Sequence, residues 1–129
     1  MLIVKPIQDK DIQKKYCEIC DTPYLPAAMA FYAEVDGELV GVSQFTLKNK
    51  QGYLECLAER PGSNDWEAMF IMGRATMSFI ETCGIYDCFC RADATDEDSI
   101  KRLGFRRQED GSWFVSLEGF FNDHCKHHE

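Results

Sequence analysis

Three runs rich in apolar residues follow one another in the first half of the chain, joined by two short turn sequences. The runs are Met29 to Val35, Leu39 to Leu47 and Tyr53 to Ala58. Asp36-Gly37 separates the first two runs and favours a tight hairpin, because glycine accepts the positive φ that such turns need. Lys48 to Gly52 supplies the second turn. The sequence therefore predicts a three-stranded antiparallel meander.

Ahead of the meander, the sequence predicts one strand and one helix. Leu2 to Val4 is the strand, which we expect to stop near Pro6 because proline lacks the N–H group of a ladder hydrogen bond. Asp9 or Asp11 is suited to cap the helix, since a short carboxylate accepts hydrogen bonds from the first turn. Helical spacing gives this helix a predicted inward face, made of Ile12, Tyr16, Ile19 and Cys20.

After the meander, a break rich in capping residues runs from Arg60 to Asp65 and precedes a long helix. Its apolar residues recur with helical spacing and are predicted to face inward: Trp66, Met69, Phe70, Gly73, Met77 and Ile80. Gly84 is placed to end the helix, because the closing position favours glycine. Ile85 to Arg91 then predicts a strand. A helical connection allows this strand to lie parallel to the one before it.

The chain closes with a short helix and a hairpin. Thr95 or Asp96 is suited to cap the helix, Gly104 ends it, and Trp113 to Leu117 is predicted as the last strand. The inward residues of this helix are predicted to be Ile100 and Leu103. The predicted order is therefore β-α-β-β-β-α-β-α-β-β. This order indicates an α/β (α+β) fold with a mixed, mostly antiparallel sheet flanked by helices.

Composition narrows the classes of function. At 129 residues with 45% hydrophobic content, we expect one domain over residues 1–121 and a flexible tail over residues 122–129. The net charge of −8 argues against nucleic acid as a partner, since phosphate binding needs a basic stripe. The longest uncharged apolar run, Ala27 to Ala33, is too short to cross a bilayer. The N-terminus has no signal-peptide pattern, so we expect a cytoplasmic protein with no membrane partner.

Seven cysteines are expected to be free thiols in a reducing compartment. Cys17 and Cys20 form a CxxC pair, which in principle offers half of a tetrahedral zinc site. The other half would come from the last residues of the chain, His124, Cys125, His127 and His128. Because the pair falls inside a predicted helix, free thiols are preferred and no metal site is predicted. Cys88 and Cys90 point to one side of a strand and are predicted to be buried.

The junction Arg102-Leu103-Gly104-Phe105-Arg106, followed by a strand, a turn and a strand, resembles the GCN5-related N-acetyltransferase (GNAT) superfamily. Members commonly carry a last helix that ends in Leu-Gly-Phe before such a hairpin. The order of elements is similar to theirs over nearly the whole chain. The resemblance implies an N-acetyltransferase that uses acetyl-CoA as its cofactor. The implied acceptor is a small-molecule or protein amine.

The resemblance also implies where the cofactor binds. The family's acyl-CoA loop reads Gln/Arg-x-x-Gly-x-Gly/Ala and opens the long helix, whose N–H groups hold the diphosphate. That pattern falls near Asn64 to Met69. Cofactor contacts are therefore expected at Leu57, Gly62, Ser63, Asn64, Asp65 and Trp66. Glu67 and Met69 stand where the family has small residues, and Asp65 and Glu67 place negative charge beside the diphosphate.

The implied catalytic base is a glutamate on the fourth strand, either Glu55 or Glu59. Their spacing of four residues predicts that both lie on one face of that strand, although a solvated strand face is their other interpretation. Many members use a tyrosine to protonate the leaving thiolate, and that position falls at Ile100. These replacements leave an alternative open. The chain could be a non-catalytic binding or assembly module, possible as a homodimer, that has lost acetyl-CoA binding.

Overall fold

The computed structural model describes residues 1–92 and 97–121. The strands are β1 (Leu2–Ile7), β2 (Met29–Val35), β3 (Glu38–Lys48), β4 (Gln51–Glu59), β5 (Asp87–Cys90), β6 (Arg106–Arg107) and β7 (Trp113–Ser116). The helices are α1 (Lys10–Ile19), α2 (Trp66–Thr82) and α3 (Glu97–Leu103). Their order along the chain is the predicted one. The predicted cap at Thr95 or Asp96 and the tail 122–129, with its histidines, lie outside the described residues.

The strands form one sheet in the order β1-β2-β3-β4-β5-β7-β6. Every neighbouring pair is antiparallel except β4 and β5, which are parallel because α2 connects them. Asp36 and Gly37 form the predicted hairpin turn, with φ of 52° and 86°. The prediction of a mixed, mostly antiparallel sheet flanked by helices is confirmed.

Helices cover both faces of the sheet and give it two cores. On one face α2 packs over the meander with α3 beside it, and the side chains buried there include Phe45, Leu54, Met72 and Ile80. On the other face α1 packs over a smaller cluster, which contains Cys17, Cys20, Val42, Cys56 and Ala58. In the part of the chain that the structure describes, no helix has the length and apolar character needed to span a membrane.

β1 is longer than predicted and runs through Pro6 to Ile7. Pro6 pairs with Phe31 of β2. β1 is an edge strand, where a missing N–H group is tolerated, so the strand includes Pro6 and ends one residue after it, near the predicted stop. Asp9 then caps α1 by accepting the N–H groups of Asp11 and Ile12 at 2.8 and 3.3 Å. Asp9 is therefore the cap, and Asp11 lies in the first turn.

The buried face of α1 differs from the predicted one. Ile12 and Ile19 are 43% and 39% exposed, whereas Gln13 and Cys17 are buried. Cys20 is buried and Tyr16 packs against the smaller cluster as predicted, so the prediction is wrong for Ile12 and Ile19, and Gln13 takes a buried position that was not predicted. Its amide donates to Gln44 Oε1 at 3.0 Å, and a polar side chain with a hydrogen-bond partner can be buried at little cost.

Two smaller differences concern α2 and β5. Met77 and Ile80 are buried as predicted, but Trp66, at the first position of α2, is 58% exposed. β5 is shorter than the predicted Ile85 to Arg91 and spans only Asp87–Cys90. Both differences lie beside the same opening in the sheet, described next.

Candidate active site

Pairing between β4 and β5 stops halfway along β4. The parallel ladder ends where Leu54 lies opposite Cys90, and the N–H of Arg91 donates to the carbonyl of Leu54 at 2.7 Å. β4 continues to Glu59, whereas β5 ends at Cys90. Past Leu54, no strand within residues 1–92 and 97–121 pairs with this edge of β4. The sheet therefore opens between the two strands.

A β-bulge in β4 lies where the opening begins. Gln44 and Phe45, consecutive in β3, pair with Cys56 and Leu54, so Glu55 is an extra residue in β4. A bulge bends its strand and increases the local twist, so it favours separation of β4 from the end of β5 at this point. It also shifts the alternation of side chains by one residue for the rest of β4.

The shifted alternation separates the two candidate bases. Glu55 accepts a hydrogen bond from the hydroxyl of Thr46 at 2.9 Å, on the α1 face of the sheet. Glu59 accepts the N–H of Asp65, on the α2 face. The prediction that Glu55 and Glu59 share one face is therefore wrong, because the bulge breaks the two-residue repeat on which it depended.

A cavity of 310 Å³ lies at the unpaired edge of β4 near its end, between α2 and the segment that follows α1. β4 contributes Leu57, Ala58 and Glu59 to its wall, α2 contributes Trp66, Met69 and Phe70, and α3 contributes Ser99, Arg102 and Leu103. The segment after α1 closes it with Cys20, Asp21 and Thr22. Of the predicted cofactor residues, Leu57 and Trp66 line this cavity. We call it the first cavity.

The other predicted cofactor residues form the loop that enters α2. Gly62 and Asn64 have positive φ, 86° and 52°, and the N–H of Ser63 donates to the carbonyl of Arg60 at 3.0 Å. Asp65 is the N-cap of α2. The loop therefore turns tightly from the end of β4 into the first turn of α2. Gly62 to Asp65 lie next to the first cavity without lining it.

The N-terminus of α2 is rich in carboxylates. Asp65 Oδ1 accepts the N–H of Ala68 at 3.0 Å, and Glu59 accepts the N–H of Asp65. Glu67 in the first turn adds a third carboxylate. These charges complement the positive end of the helix dipole, and they oppose an incoming anion at the same place.

A cation lies on the wall of the first cavity. The guanidinium of Arg102 stacks over the ring of Trp66, with 4.8 Å between its central carbon and the ring centroid. Both side chains line the cavity. The sequence predicted Trp66 as a cofactor residue but gave Arg102 only a place in the Leu-Gly-Phe junction. Arg102 lies at the end of a helix that faces α2, and this position was the sequence signal that could have placed it on the cavity wall.

A second cavity, of 260 Å³, lies at the opening on the α1 face of β4. It is lined by Thr22, Pro23, Leu25, Glu55, Cys56, Arg91 and Ala92. Glu55 and Arg91 form a two-point ion pair there, with Nε to Oε1 and Nη2 to Oε2 both at 3.0 Å. Thr22 also lines the first cavity, so the two cavities adjoin along this segment.

Two buried glutamines fix the segment that borders both cavities. Gln44 accepts the N–H of Leu25 and donates to the carbonyl of Pro23, each at 2.9 Å. Gln13 donates to the same oxygen of Gln44. Neither glutamine was predicted from the sequence, because an isolated glutamine in a helix or a strand gives no positional signal. Their bonds make the shape of both cavities depend on α1 and β3.

The remaining candidate groups, four cysteines and Ile100, are buried side chains. Burial, with a neighbouring thiol as the smaller cause, raises the pKa of Cys17 to about 11 and that of Cys20 to about 12. Such thiols stay protonated at neutral pH and react poorly. Cys88 and Cys90 are buried as predicted. Ile100 is buried in the main core, where its side chain has no proton to donate.

Metal ligands do not converge in the part of the chain described by the structure. No three His, Cys, Asp or Glu side chains of residues 1–92 and 97–121 are grouped as ligands. The histidines of the predicted alternative, together with Cys125, lie in the tail outside those residues. Cys17 and Cys20 are free thiols in the structure.

Neither protein-family comparison nor comparison with curated proteins finds a match for this chain. Solved structures do match it. A GNAT-family acetyltransferase from Brucella melitensis in complex with acetyl-CoA superimposes with a TM-score of 0.69 and 13% identity, over 91% of this chain and 88% of that one. A ribosomal-protein alanine N-acetyltransferase from Escherichia coli gives a TM-score of 0.66 and 13% identity, over 90% of each chain.

A third neighbour is a GNAT-family acetyltransferase from Desulfovibrio desulfuricans, with a TM-score of 0.68 and 12% identity over 91% of this chain and 99% of that chain. At this level of identity the likeness is one of fold. The chain therefore has the fold of the GNAT acetyltransferases. The predicted resemblance in fold, drawn from the order of elements and the Leu-Gly-Phe junction, is confirmed.

Proposed function

We propose that this protein is an N-acetyltransferase that takes acetyl-CoA into the opening between β4 and β5 and transfers the acetyl group to an amine. The observation that carries the proposal is the end of the β4–β5 ladder at Leu54, with two adjoining cavities beside β4 beyond it. A fold alone does not define an activity. Here the fold provides two adjoining spaces, as a transfer between two substrates requires.

The donor is assigned to the first cavity. The edge of β4 past the bulge can pair with an extended chain that carries amides, as the arm of acetyl-CoA does. Leu57 lines the path of that arm. The loop from Gly62 to Asp65 and the first turn of α2 face the diphosphate, where helix N–H groups favour an anion. Trp66 offers an exposed aromatic surface to the nucleotide.

The carboxylates of the α2 N-terminus weaken diphosphate binding in this mode, and Arg102 strengthens it. Asp65 and Glu67 repel a diphosphate, whereas the guanidinium of Arg102 attracts it from the wall of the same cavity. Side-chain charge thus takes over part of the role that glycines and free N–H groups have in the family's loop. We expect weak donor binding as a result.

The acceptor amine is assigned to the second cavity, with Glu55 as its base. Glu55 lies at the opening and lines this cavity, whereas Glu59 is bonded to the N–H of Asp65 on the other face. The amine nitrogen attacks the thioester carbon, and the carbon–sulfur bond breaks to release the CoA thiolate. Glu55 accepts the proton that the amine loses. The thiolate is protonated by water, since Ile100 supplies no proton.

Titration calorimetry with acetyl-CoA tests the proposal. We expect binding in the micromolar to millimolar range for the unmodified chain. Trp66→Ala and Arg102→Met should each weaken it several-fold. Tyr86→Ala is the matched control, because Tyr86 is also an exposed aromatic (44%) but lies next to the start of β5, away from the opening.

Absence of heat and of any thermal shift at millimolar acetyl-CoA would overturn the proposal. It would leave the non-catalytic binding or assembly module as the alternative. Release of free CoA thiol in the presence of a panel of amines is the second measurement, and it separates donor binding from transfer.

A further inference from the structure

The guanidinium of Arg91 occupies a site built for a cation. It lies 3.9 Å from the ring centroid of Tyr53, well within the range of a cation–π contact. Two of its nitrogens contact the two carboxylate oxygens of Glu55 at 3.0 Å each. The hydroxyl of Thr46 donates to the same carboxylate and fixes its orientation. An aromatic face and an oriented carboxylate are the groups that recognise a protonated amine.

This cation site lies at the opening of the sheet. Arg91 follows the last residue of β5, and Glu55 is the bulge residue of β4. Both line the second cavity. The other walls of that cavity are largely apolar and include Pro23, Leu25 and Ala92. A ligand that fills the cavity therefore meets one carboxylate, one guanidinium and a compact apolar surface.

We propose that Arg91 is an internal competitor of the acceptor, holding the ammonium subsite made of Glu55, Tyr53 and Thr46 until a primary amine replaces it. This rests on the proposed function, because it assigns the acceptor of that reaction. The acceptor is a protonated primary amine on a compact apolar body. Its ammonium takes the place of the guanidinium, and its body fills the space between Pro23, Leu25 and Ala92.

The exposure of the two partners favours this exchange. The side chain of Arg91 is 56% exposed, whereas that of Glu55 is 20% exposed. Arg91 can swing outward and keep its charge in water, but Glu55 would remain as a partly buried carboxylate without its cation. An empty subsite is therefore unfavourable, and a cation is needed to open it. The net charge of −8 also favours the approach of cations over anions.

The exchange also places the amine for reaction. An ammonium bound to Glu55 is in contact with the group that must take its proton. Once that proton has moved to the carboxylate, the neutral nitrogen lies at the opening where the proposed thioester arrives. Arg91 thus keeps the proposed base paired while no acceptor is bound. Apolar molecules without a cationic group do not release Glu55 from Arg91.

Binding measurements without any acetyl-CoA test this inference separately from the proposed function. Three probes of similar shape differ mainly in charge: phenethylamine, phenethyl alcohol and hydrocinnamate. Calorimetry or NMR titration gives the dissociation constant of each probe for the unmodified chain and for Arg91→Met, which keeps an apolar stem. Arg106→Met, at an exposed arginine of β6, is the control for the loss of one positive charge.

We expect the amine to bind at least tenfold more tightly than the alcohol. Arg91→Met should lower the dissociation constant of the amine about a further tenfold and leave that of the alcohol within twofold. Arg106→Met should behave like the unmodified chain. Glu55→Gln, which keeps an acceptor for Thr46, should remove the preference for the amine. If Arg91→Met binds the amine no more tightly than the unmodified chain does, or no better than it binds the alcohol, the inference is wrong. It is equally overturned if hydrocinnamate binds best and Arg91→Met abolishes that binding, since Arg91 would then anchor an anion.

Discussion

Neutralising the carboxylates at the start of α2 should tighten acetyl-CoA while it destabilises the protein. The changes are Glu59→Gln, Asp65→Asn and Glu67→Gln, made singly and together. Each keeps the size of the side chain. The amide oxygen introduced by Glu59→Gln still accepts the N–H of Asp65, and an asparagine caps a helix as well as an aspartate does. The variants therefore remove charge without removing the hydrogen bonds that shape the loop.

The expected magnitude follows from Coulomb's law. A carboxylate about 8 Å from the two charges of a diphosphate is repelled by about 1 kcal/mol at the dielectric constant of water. Each variant should therefore bind acetyl-CoA about fivefold more tightly at low salt. The gain should shrink at about 0.5 M salt, because screening shortens the range of the repulsion. The same charges stabilise the helix dipole, so each variant should lose about 0.3–1 kcal/mol of unfolding free energy.

Calorimetry at two salt concentrations and urea unfolding give both quantities for each variant. Asp87→Asn is the matched control. Asp87 pairs with Gln51, which is eight residues before Glu59 on β4, so its charge lies about 25 Å from the loop. If all three variants bind acetyl-CoA no better than the unmodified chain at low salt, the diphosphate does not lie at this helix end. The donor assignment would then be wrong.

Two further outcomes are expected for stability. Gly104→Ala should lower the free energy of unfolding by about 2–4 kcal/mol and Tm by about 10 °C. The reason is that Gly104 has φ of 118° and an added Cβ would lie 2.9 Å from the ring of Phe120. Gly111→Ala, with φ of 89° and open space around it, should lose less, and equal losses in a melting experiment would contradict this. Burial raises the pKa of Cys17, Cys20 and Cys88 above the usual 9.0, so the folded state keeps protons that the unfolded state releases. Unfolding free energy should fall as pH rises from 9 toward 12, by about 1.4 kcal/mol per thiol at pH 10. Between pH 8 and pH 10, the Cys17→Ala/Cys20→Ala variant should lose roughly two thirds less unfolding free energy from this source than the unmodified chain, as measured by urea unfolding. An unchanged loss would refute the assignment of raised pKa values to these thiols.

The parts of the fold that the sequence predicted are those governed by local chemistry. Asp36-Gly37 needs positive φ, and Gly104 ends a helix with φ of 118°, so both turns could be located from the residues alone. The inward positions Met77 and Ile80 followed from helical spacing. The parallel pairing of β4 and β5 followed from the helix between them.

The parts that the sequence did not predict depend on contacts between distant segments. Gln13 is buried because Gln44 lies opposite it, 31 positions away. Glu55 and Glu59 occupy opposite faces because β3 and β4 differ by one residue in their pairing, which neither strand shows on its own. Arg91 belongs to the candidate site because it forms an ion pair with Glu55, which lies 36 positions earlier in the chain. A pattern within one element carries no information of this kind.

The opening in the sheet depends on the number of residues in β4 and not on the identity of any one of them. Replacing Glu55 by another residue changes the chemistry of the cleft but leaves the extra position in place. Deleting that position would restore the strict alternation, keep Leu54 and Leu57 on the α2 face with Cys56 between them on the α1 face, and remove the bend of β4 at the point where its pairing with β5 ends. A chain of this kind can therefore exchange the side chains around its cleft and still keep the cleft.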